Sequence, residues 1–125
     1  MTTEKLIAIV DDSKFFHTVI QRHLKDEHCS YLLYDSADAA LHDEGCLLEA
    51  NLIFVDYEMP GKNGIQMIEI LRKKEAFKKT LIVGMSATLL TQQPFLNAGA
   101  DDFILKEKLQ RETLLNAVKA IPEKS

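Results

Sequence analysis

Short apolar runs alternate with helical patterns along the chain, and this alternation is the strongest structural signal in the sequence. Five runs are short, continuously apolar and bounded mostly by polar residues, as is typical of strands that are buried on both faces of a sheet. These predicted strands cover residues 6–10, 31–34, 52–55, 81–85 and 103–105.

Five helical patterns lie between and after these runs. The first follows Ser13, a good N-cap residue, and the weaker second pattern follows Ser36. The third begins near Gly64, the fourth covers about residues 91–98, and the fifth ends at Pro122. Apolar stripes with helical spacing support these assignments, for example Phe16, Val19, Ile20, His23 and Leu24; Met67, Ile68 and Leu71; and Leu114, Leu115, Val118 and Ile121.

Strands that alternate with helices predict βαβ crossovers and therefore a parallel sheet. Five such units favour an α/β fold of the flavodoxin-like, doubly wound type, with strand order 2-1-3-4-5 and helices on both faces. We expect one domain over residues 1–125, with nothing left over for an output domain. In such sheets ligands bind beyond the carboxyl ends of the strands.

Composition and charge narrow the possible functions. The net charge of −4 argues against a nucleic-acid partner, and no apolar stretch is long enough to span a membrane. The basic residues 72–74, 78 and 79 are expected to form the solvated end of the third helix. Residues 1–5 lead directly into a strand, so we expect no signal peptide. Cys29 and Cys46 form no CxxC pair, which favours free thiols in the cytoplasm.

Polar residues follow four of the five predicted strands. Asp11 and Asp12 follow the first strand, and Asp56 follows the third. Ser86 follows the fourth strand and Lys106 follows the fifth. These strands are neighbours in the predicted order, so we expect three carboxylates, one hydroxyl and one ammonium to meet in a single crevice.

This set of groups favours phosphoryl chemistry with a divalent cation. Three adjacent carboxylates repel one another, and Mg²⁺, which prefers oxygen ligands, relieves that repulsion. One carboxylate can then attack a phosphoryl group and form an acyl phosphate. Lys106 would neutralise charge on the phosphoryl oxygens, and Ser86 would donate a hydrogen bond to one of them. The four histidines, His17, His23, His28 and His42, have no metal-ligand spacing and are expected at the surface or on helix faces.

At these residues the chain resembles the receiver domain of two-component response regulators, including the chemotaxis response regulator. The resemblance lies in residues 9–13, residues 53–61 with Gly64, residues 83–87 and residues 98–106. It implies that Asp56 is the phosphoacceptor. It also implies that Asp12 and Asp56 ligate Mg²⁺ directly together with the backbone carbonyl of Glu58, and that Asp11 acts through water.

The resemblance further implies a switch and a set of partners. Ser86 would contact the phosphoryl group and couple the site to the domain, and Phe103 takes the place of the switch aromatic; a permanently buried core residue is the alternative for Phe103. The phosphodonor would be a histidine kinase or a histidine phosphotransfer protein. A target protein would bind the face formed by the fourth helix, the fifth strand and the fifth helix. Such a domain is not an enzyme, although it assists its own phosphorylation and dephosphorylation.

Three features depart from the family pattern. Glu107 follows Lys106 where proline is usual, the fourth helix is expected to be short and to begin near Pro94, and Glu58 adds a carboxylate beside the site. Two other functions therefore remain open. One is a degenerate receiver that acts as a phosphate-independent scaffold. The other is an Asp-nucleophile phosphatase, for which Asp56 and Glu58 would imitate an Asp-x-Asp pair.

Overall fold

Five parallel strands form one sheet in the order β2-β1-β3-β4-β5, which confirms the predicted α/β fold. The computed structural model describes residues 4–122, so residues 1–3 and 123–125 of the predicted domain, and with them most of the segment used to argue against a signal peptide, lie outside the described residues. The strands are β1 (Lys5–Val10), β2 (Cys29–Tyr34), β3 (Leu52–Asp56), β4 (Leu81–Ser86) and β5 (Asp102–Leu105).

Six α-helices connect and follow the strands in the described part of the chain. They are α1 (Lys14–His23), α2 (Ala37–His42), α3 (Glu44–Leu47), α4 (Gly64–Arg72), α5 (Gln92–Ala98) and α6 (Arg111–Lys119). Helix α3 was not predicted, because four residues are too short to show a helical period. The predicted fourth and fifth helices are therefore α5 and α6. Three 3₁₀ turns complete the described elements, at Glu75–Phe77, Leu89–Thr91 and Lys106–Lys108.

The helices cover both faces of the sheet, as the doubly wound fold requires. Side chains of β3 alternate between the two faces: Ile53 and Val55 pack toward α2, α3, α4 and α5, whereas Leu52 and Phe54 pack toward α1 and α6. All five residues of β3 are buried, because the strand lies at the centre of the sheet and is covered on each side. No helix within residues 4–122 is long and apolar enough to cross a membrane.

The edge strand β2 corrects one expectation. Burial on both faces was predicted for every strand, but within β2 only Tyr34 is buried and Leu33 is exposed. The reason is that β2, within residues 4–122, has a neighbouring strand on one side only. The strand also begins at Cys29, two residues before the predicted start, because its first two residues are not part of the apolar run.

Helix α5 is short, as predicted, and begins at Gln92, two residues before Pro94. Its buried residue Phe95 packs against the backbone of Gly84 in β4, where a Cβ atom would lie only 2.5 Å from Phe95 Cδ1. Glycine at this position therefore allows the helix to approach the sheet closely. No peptide bond within residues 4–122 is cis, and this includes the bond between Lys106 and Glu107.

Arg72 at the end of α4 is not a solvated charge, which corrects the expectation for the basic cluster. Its side chain is 16% exposed and forms an ion pair with Asp101. It also donates hydrogen bonds to the backbone carbonyls of Gly99, Phe77 and Thr80. These three carbonyls all lie outside α4. The pattern of residues along that helix therefore could not reveal them.

Candidate functional site

A cleft of about 590 Å³ lies at the carboxyl ends of the strands. Its walls include five of the predicted site residues: Asp12, Asp56, Glu58, Ser86 and Lys106. The other lining residues are Tyr57, Met59, Pro60, Asn63, Ala87 and Thr88. The structure therefore brings together side chains from four separate segments, as the strand order predicted.

Asp11 is fully buried and is held by its backbone as well as its side chain. Its N–H donates to the Tyr34 carbonyl at 3.0 Å, and its Oδ1 accepts from the Ser13 N–H at 2.9 Å. Ser13 occupies the N-cap position of α1, but its side chain makes no capping hydrogen bond, so the predicted N-cap is correct in position only. The remaining oxygen, Oδ2, is buried and accepts no well-aligned hydrogen bond within the described residues.

The Lys106 ammonium bridges two of the carboxylates. Its Nζ lies 2.8 Å from Asp11 Oδ2 and 3.0 Å from Asp56 Oδ1. Lys106 is the first residue of the 3₁₀ turn that follows β5, and its side chain is only 12% exposed. The positive charge therefore lies inside the cleft wall, next to the predicted nucleophile.

Asp56, the last residue of β3, is almost completely buried. The pKa of Asp56 is raised from 3.8 to about 6, mainly because the residue is buried and secondly because the Asp11 carboxylate is close, while Lys106 offsets part of the rise. A carboxylate with this pKa is mostly ionised at neutral pH, as a nucleophile must be. Its elevated pKa also shows that the negative charge is not fully compensated by the lysine.

Three carboxylates fit a hard divalent cation at this point. Asp11, Asp12 and Asp56 each offer one oxygen atom, and these atoms all lie within 4.8 Å of one another. Asp12 is exposed, whereas the other two are buried, so the group opens toward solvent on one side. The oxygen-only donor set and the raised pKa of Asp56 both suit Mg²⁺, which takes oxygen ligands and keeps several waters.

The start of α4 lies directly against the backbone of Asp56. Gly64 N–H donates to the Tyr57 carbonyl at 3.1 Å, and a Cβ atom on Gly64 would lie 2.2 Å from the Asp56 carbonyl oxygen. Asn63 caps the helix in a reciprocal pair of hydrogen bonds with Gln66. The capped helix and the missing Cβ together allow α4 to support the residue that carries the predicted nucleophile.

Ser86 and Glu58 also line the cleft, and they differ in burial: Ser86 is buried and Glu58 is exposed. Ser86 is buried at the end of β4, and its Oγ accepts a hydrogen bond from the Thr88 N–H at 3.2 Å. Glu58 is exposed and lines the rim, and Lys106 forms its ion pairs with Asp11 and Asp56 instead. Glu58 therefore lies at the edge of the cluster formed by the Asp11, Asp12 and Asp56 carboxylates.

Phe103 lies in the core of the structure. It is buried on β5, and its ring centroid lies 5.8 Å from that of Phe95, which in turn lies 6.2 Å from the ring of Tyr57 at the cleft wall. A continuous row of aromatic rings thus connects Phe103 with the site. The role of Phe103 as a switch stays a prediction.

Two neighbouring residues of α1 were not assigned to the site from the sequence. Phe16 lies against Lys106, whose Nζ is 4.0 Å from the centre of its ring. His17 is buried on the inner face of α1, and its Nε2 donates to the Asp11 carbonyl at 2.7 Å, so of the two placements expected for it, surface or helix face, the helix face is correct. Its spacing to Ile20 and Leu24, three and seven residues later, is a signal in the sequence that could have placed it on the buried side of α1.

Comparison with known proteins shows which sequences and folds this chain is similar to. The chain matches the response regulator receiver domain family over residues 7–119. The two-component response regulator ARR6 of Arabidopsis thaliana is 32% identical over 112 residues, which cover 80% of this chain and 60% of ARR6. ARR5 of the same plant is 30% identical and covers 94% of this chain and 75% of its own length. This chain therefore spans less than two thirds of ARR6.

A solved structure extends the likeness to the whole fold. The chemotaxis response regulator CheY4 of Vibrio cholerae superposes with a TM-score of 0.84, over 96% of this chain and 100% of that chain. Its sequence identity is 21%, so this likeness concerns the fold.

Proposed function

Because the chain belongs to the response regulator receiver domain family, we propose that it accepts a phosphoryl group on Asp56 with the help of Mg²⁺. The phosphoryl group comes from a histidine kinase or a histidine phosphotransfer protein. Phosphorylation then changes which protein the domain binds. The domain assists its own phosphorylation and dephosphorylation but does not turn over a separate substrate.

One observation carries this proposal. Three carboxylates, those of Asp11, Asp12 and Asp56, offer oxygen atoms within 4.8 Å of one another, and the Lys106 ammonium contacts two of these side chains. A purely structural role would not require so many like charges at one point, because their mutual repulsion destabilises the folded state. The arrangement is favourable once positive charge is bound.

Asp56, Lys106 and Ser86 have different roles in the phosphoryl transfer. A carboxylate oxygen of Asp56 attacks the phosphorus of the donor, a new P–O bond forms, and the P–N bond to the donor imidazole breaks. The electron pair of that bond leaves with the imidazole. Lys106 neutralises charge on the transferred oxygens, and the Ser86 hydroxyl donates a hydrogen bond to one of them.

Mg²⁺ would be held by Asp12, Asp56 and the backbone carbonyl of Glu58, with Asp11 acting through water, and would neutralise charge on the phosphoryl oxygens. The exposed Asp12 and the exposed Glu58 leave this part of the cleft accessible to a hydrated ion. Buried Asp11 contributes its charge while His17, Ser13 and Tyr34 hold it in place.

The proposed function also includes a target protein and a location in the cell. A target protein binds the face formed by α5, β5 and α6. The free thiols of Cys29 and Cys46 support a cytoplasmic location. Nucleic acid is not among the proposed partners, in keeping with the net charge of −4.

The test is incubation with acetyl phosphate and Mg²⁺, followed by intact-mass measurement. We expect one added phosphoryl group in the wild type, none in Asp56→Asn, and none when EDTA removes the metal. An unchanged wild-type mass would favour the phosphate-independent scaffold. Continued modification of Asp56→Asn would show that the assigned residue is wrong, and repeated turnover of p-nitrophenyl phosphate would favour the phosphatase.

A further inference from the structure

Phe16, in the first turn of α1, presents the face of its ring to the lysine of the site. Lys106 Nζ lies 4.0 Å from the ring centroid, well within the range of a cation–π contact. The same ammonium contacts Asp11 and Asp56, at 2.8 Å and 3.0 Å. The ammonium therefore has two kinds of neighbour, carboxylates and an aromatic ring.

These two kinds of neighbour respond differently to a bound cation. The proposed Mg²⁺ site uses the carboxylates of Asp11 and Asp56, so a divalent cation there shares the groups that hold Lys106 and also repels its ammonium. An aromatic ring is not a ligand for a hard cation such as Mg²⁺. The attraction between Phe16 and Lys106 is therefore the part of the lysine's surroundings with which the metal does not compete.

A lysine side chain is flexible, so a neighbour that limits its positions has a larger effect on it than on a more rigid side chain. Its ammonium is a compact charge at the end of a flexible four-carbon stem, and it lacks the rigid fork of arginine. Lys106 also begins a single 3₁₀ turn, so it belongs to neither a strand nor an α-helix. A fixed ring beside the ammonium limits the positions that the side chain can adopt.

The ring of Phe16 is held in position by the buried core cluster that includes Ile20 and Leu114, against which it packs, and not by its exposed neighbour Phe15. Phe15 packs edge-on against the ring of Phe16, with ring centroids 5.2 Å apart and an angle of 79° between the planes. Phe15 is 69% exposed, so it is not part of the core and makes no cation–π contact with Lys106 in the described structure. The two phenylalanines therefore offer a matched pair, in which only Phe16 faces the lysine.

We infer that Phe16 is a positioning residue of the phosphorylation site, and that its ring keeps the Lys106 ammonium at the cleft wall when the carboxylates hold a metal ion. This inference rests on the proposed function. Phe16 does not touch the phosphoryl group, and it acts through Lys106. The property required at position 16 is an aromatic face, and apolar volume alone is not sufficient.

The first experiment compares the rate of phosphorylation by acetyl phosphate at saturating Mg²⁺. Phe16→Leu removes the ring and should slow the reaction by about threefold to tenfold. Phe16→Tyr keeps an aromatic face and should react at nearly the wild-type rate. Phe15→Leu, the same change in the adjacent residue, should also leave the rate unchanged. Equal losses in Phe16→Leu and Phe16→Tyr would overturn the inference, because the ring would then matter only for packing.

A double-mutant cycle tests whether Phe16 acts through the lysine. In a Lys106→Ala background, Phe16→Leu should cause no further loss of rate, because the group that the ring holds is absent. If Phe16→Leu slows the reaction by the same factor with and without Lys106, then Phe16 acts by another route and the inference is wrong.

An NMR measurement makes the test independent of phosphorylation. The side-chain protons of Lys106 next to the ring should resonate upfield in the wild type, through the ring current, both without metal and with Mg²⁺ added. Phe16→Leu should remove this shift and Phe16→Tyr should retain it. Loss of the wild-type shift on addition of Mg²⁺ would overturn the inference even if phosphorylation is normal. If no phosphoryl group is accepted at all, the proposed function fails, and the NMR result still decides whether the ring holds the lysine.

Discussion

Replacement of Asp56 by asparagine removes a buried negative charge, and we expect it to stabilise the folded protein at neutral pH. Only 4% of Asp56 is exposed, and burial is the main reason that its pKa rises from 3.8 to about 6. The Asp11 carboxylate adds repulsion, and the Lys106 ammonium offsets part of it. An ionised Asp56 is therefore less favourable in the folded state than in the unfolded chain.

The size of this effect follows from the pKa. A rise from 3.8 to about 6 corresponds to roughly 3 kcal/mol, at about 1.36 kcal/mol for each pH unit. The attraction to Lys106 is already included in this pKa, but the cleft is open to water, which screens the charge. We therefore expect Asp56→Asn to raise the free energy of unfolding at pH 7.5 by about 1 to 2 kcal/mol.

The sign of the pH dependence distinguishes this explanation from a general improvement in packing. Between about pH 4 and pH 6 the folded state keeps a proton on Asp56 that the unfolded chain has already released. Through this group, the stability of the wild type falls as the pH rises across that range and then levels off. The variant lacks the group, so its advantage over the wild type should be small near pH 4 and complete above about pH 6.

The assay is urea unfolding of both proteins in EDTA, at several pH values between about 4 and 7.5. Asp12→Asn is the matched control, because it also removes one negative charge from the cluster of three carboxylates. Asp12 is exposed, so the free energy of unfolding of this variant should differ from that of the wild type by less than about 0.5 kcal/mol. The reasoning fails if Asp56→Asn is no more stable than the wild type at pH 7.5, or if its advantage is the same at both ends of the pH range.

Three further substitutions test other parts of the site. Lys106→Ala should slow phosphorylation by acetyl phosphate by about tenfold or more. It should not weaken Mg²⁺ binding in a calorimetric titration, because the lysine competes with the metal for the carboxylates. Lost Mg²⁺ affinity with a normal phosphorylation rate would contradict this role. Glu58→Gln should speed the same reaction several-fold, since it removes negative charge from the rim, and a rate that falls by about tenfold or more would make Glu58 a working part of the site. Gly64→Ala should lower the free energy of unfolding by about 1 to 3 kcal/mol and slow phosphorylation, because the new Cβ would lie 2.2 Å from the Asp56 carbonyl oxygen. Gly45→Ala is its control, as nothing lies within 4 Å of a Cβ there, and equal effects on unfolding would refute the steric explanation.

The sequence by itself determined the fold and the composition of the site. Hydrophobic runs of strand length that alternate with helical stripes predict a doubly wound parallel sheet, and the strand order that follows was confirmed. Because parallel strands end at one edge, the residues at the carboxyl ends of β1, β3, β4 and β5 had to be neighbours. Asp56, Ser86 and Lys106 could be identified in this way, since local position along the chain decides which residue stands at a strand end.

Tertiary packing decided how these groups are surrounded. Asp11 and Asp12 are adjacent and chemically identical, yet one is fully buried and the other is exposed. The partners of Lys106 come from α1, β3 and the turn after β1, which are far apart in sequence. A hydrophobic pattern reports only which face of an element is covered, and it does not identify the segment that covers it. The raised pKa of Asp56 and the ring beside Lys106 depend on that covering segment, so only the folded structure could reveal them.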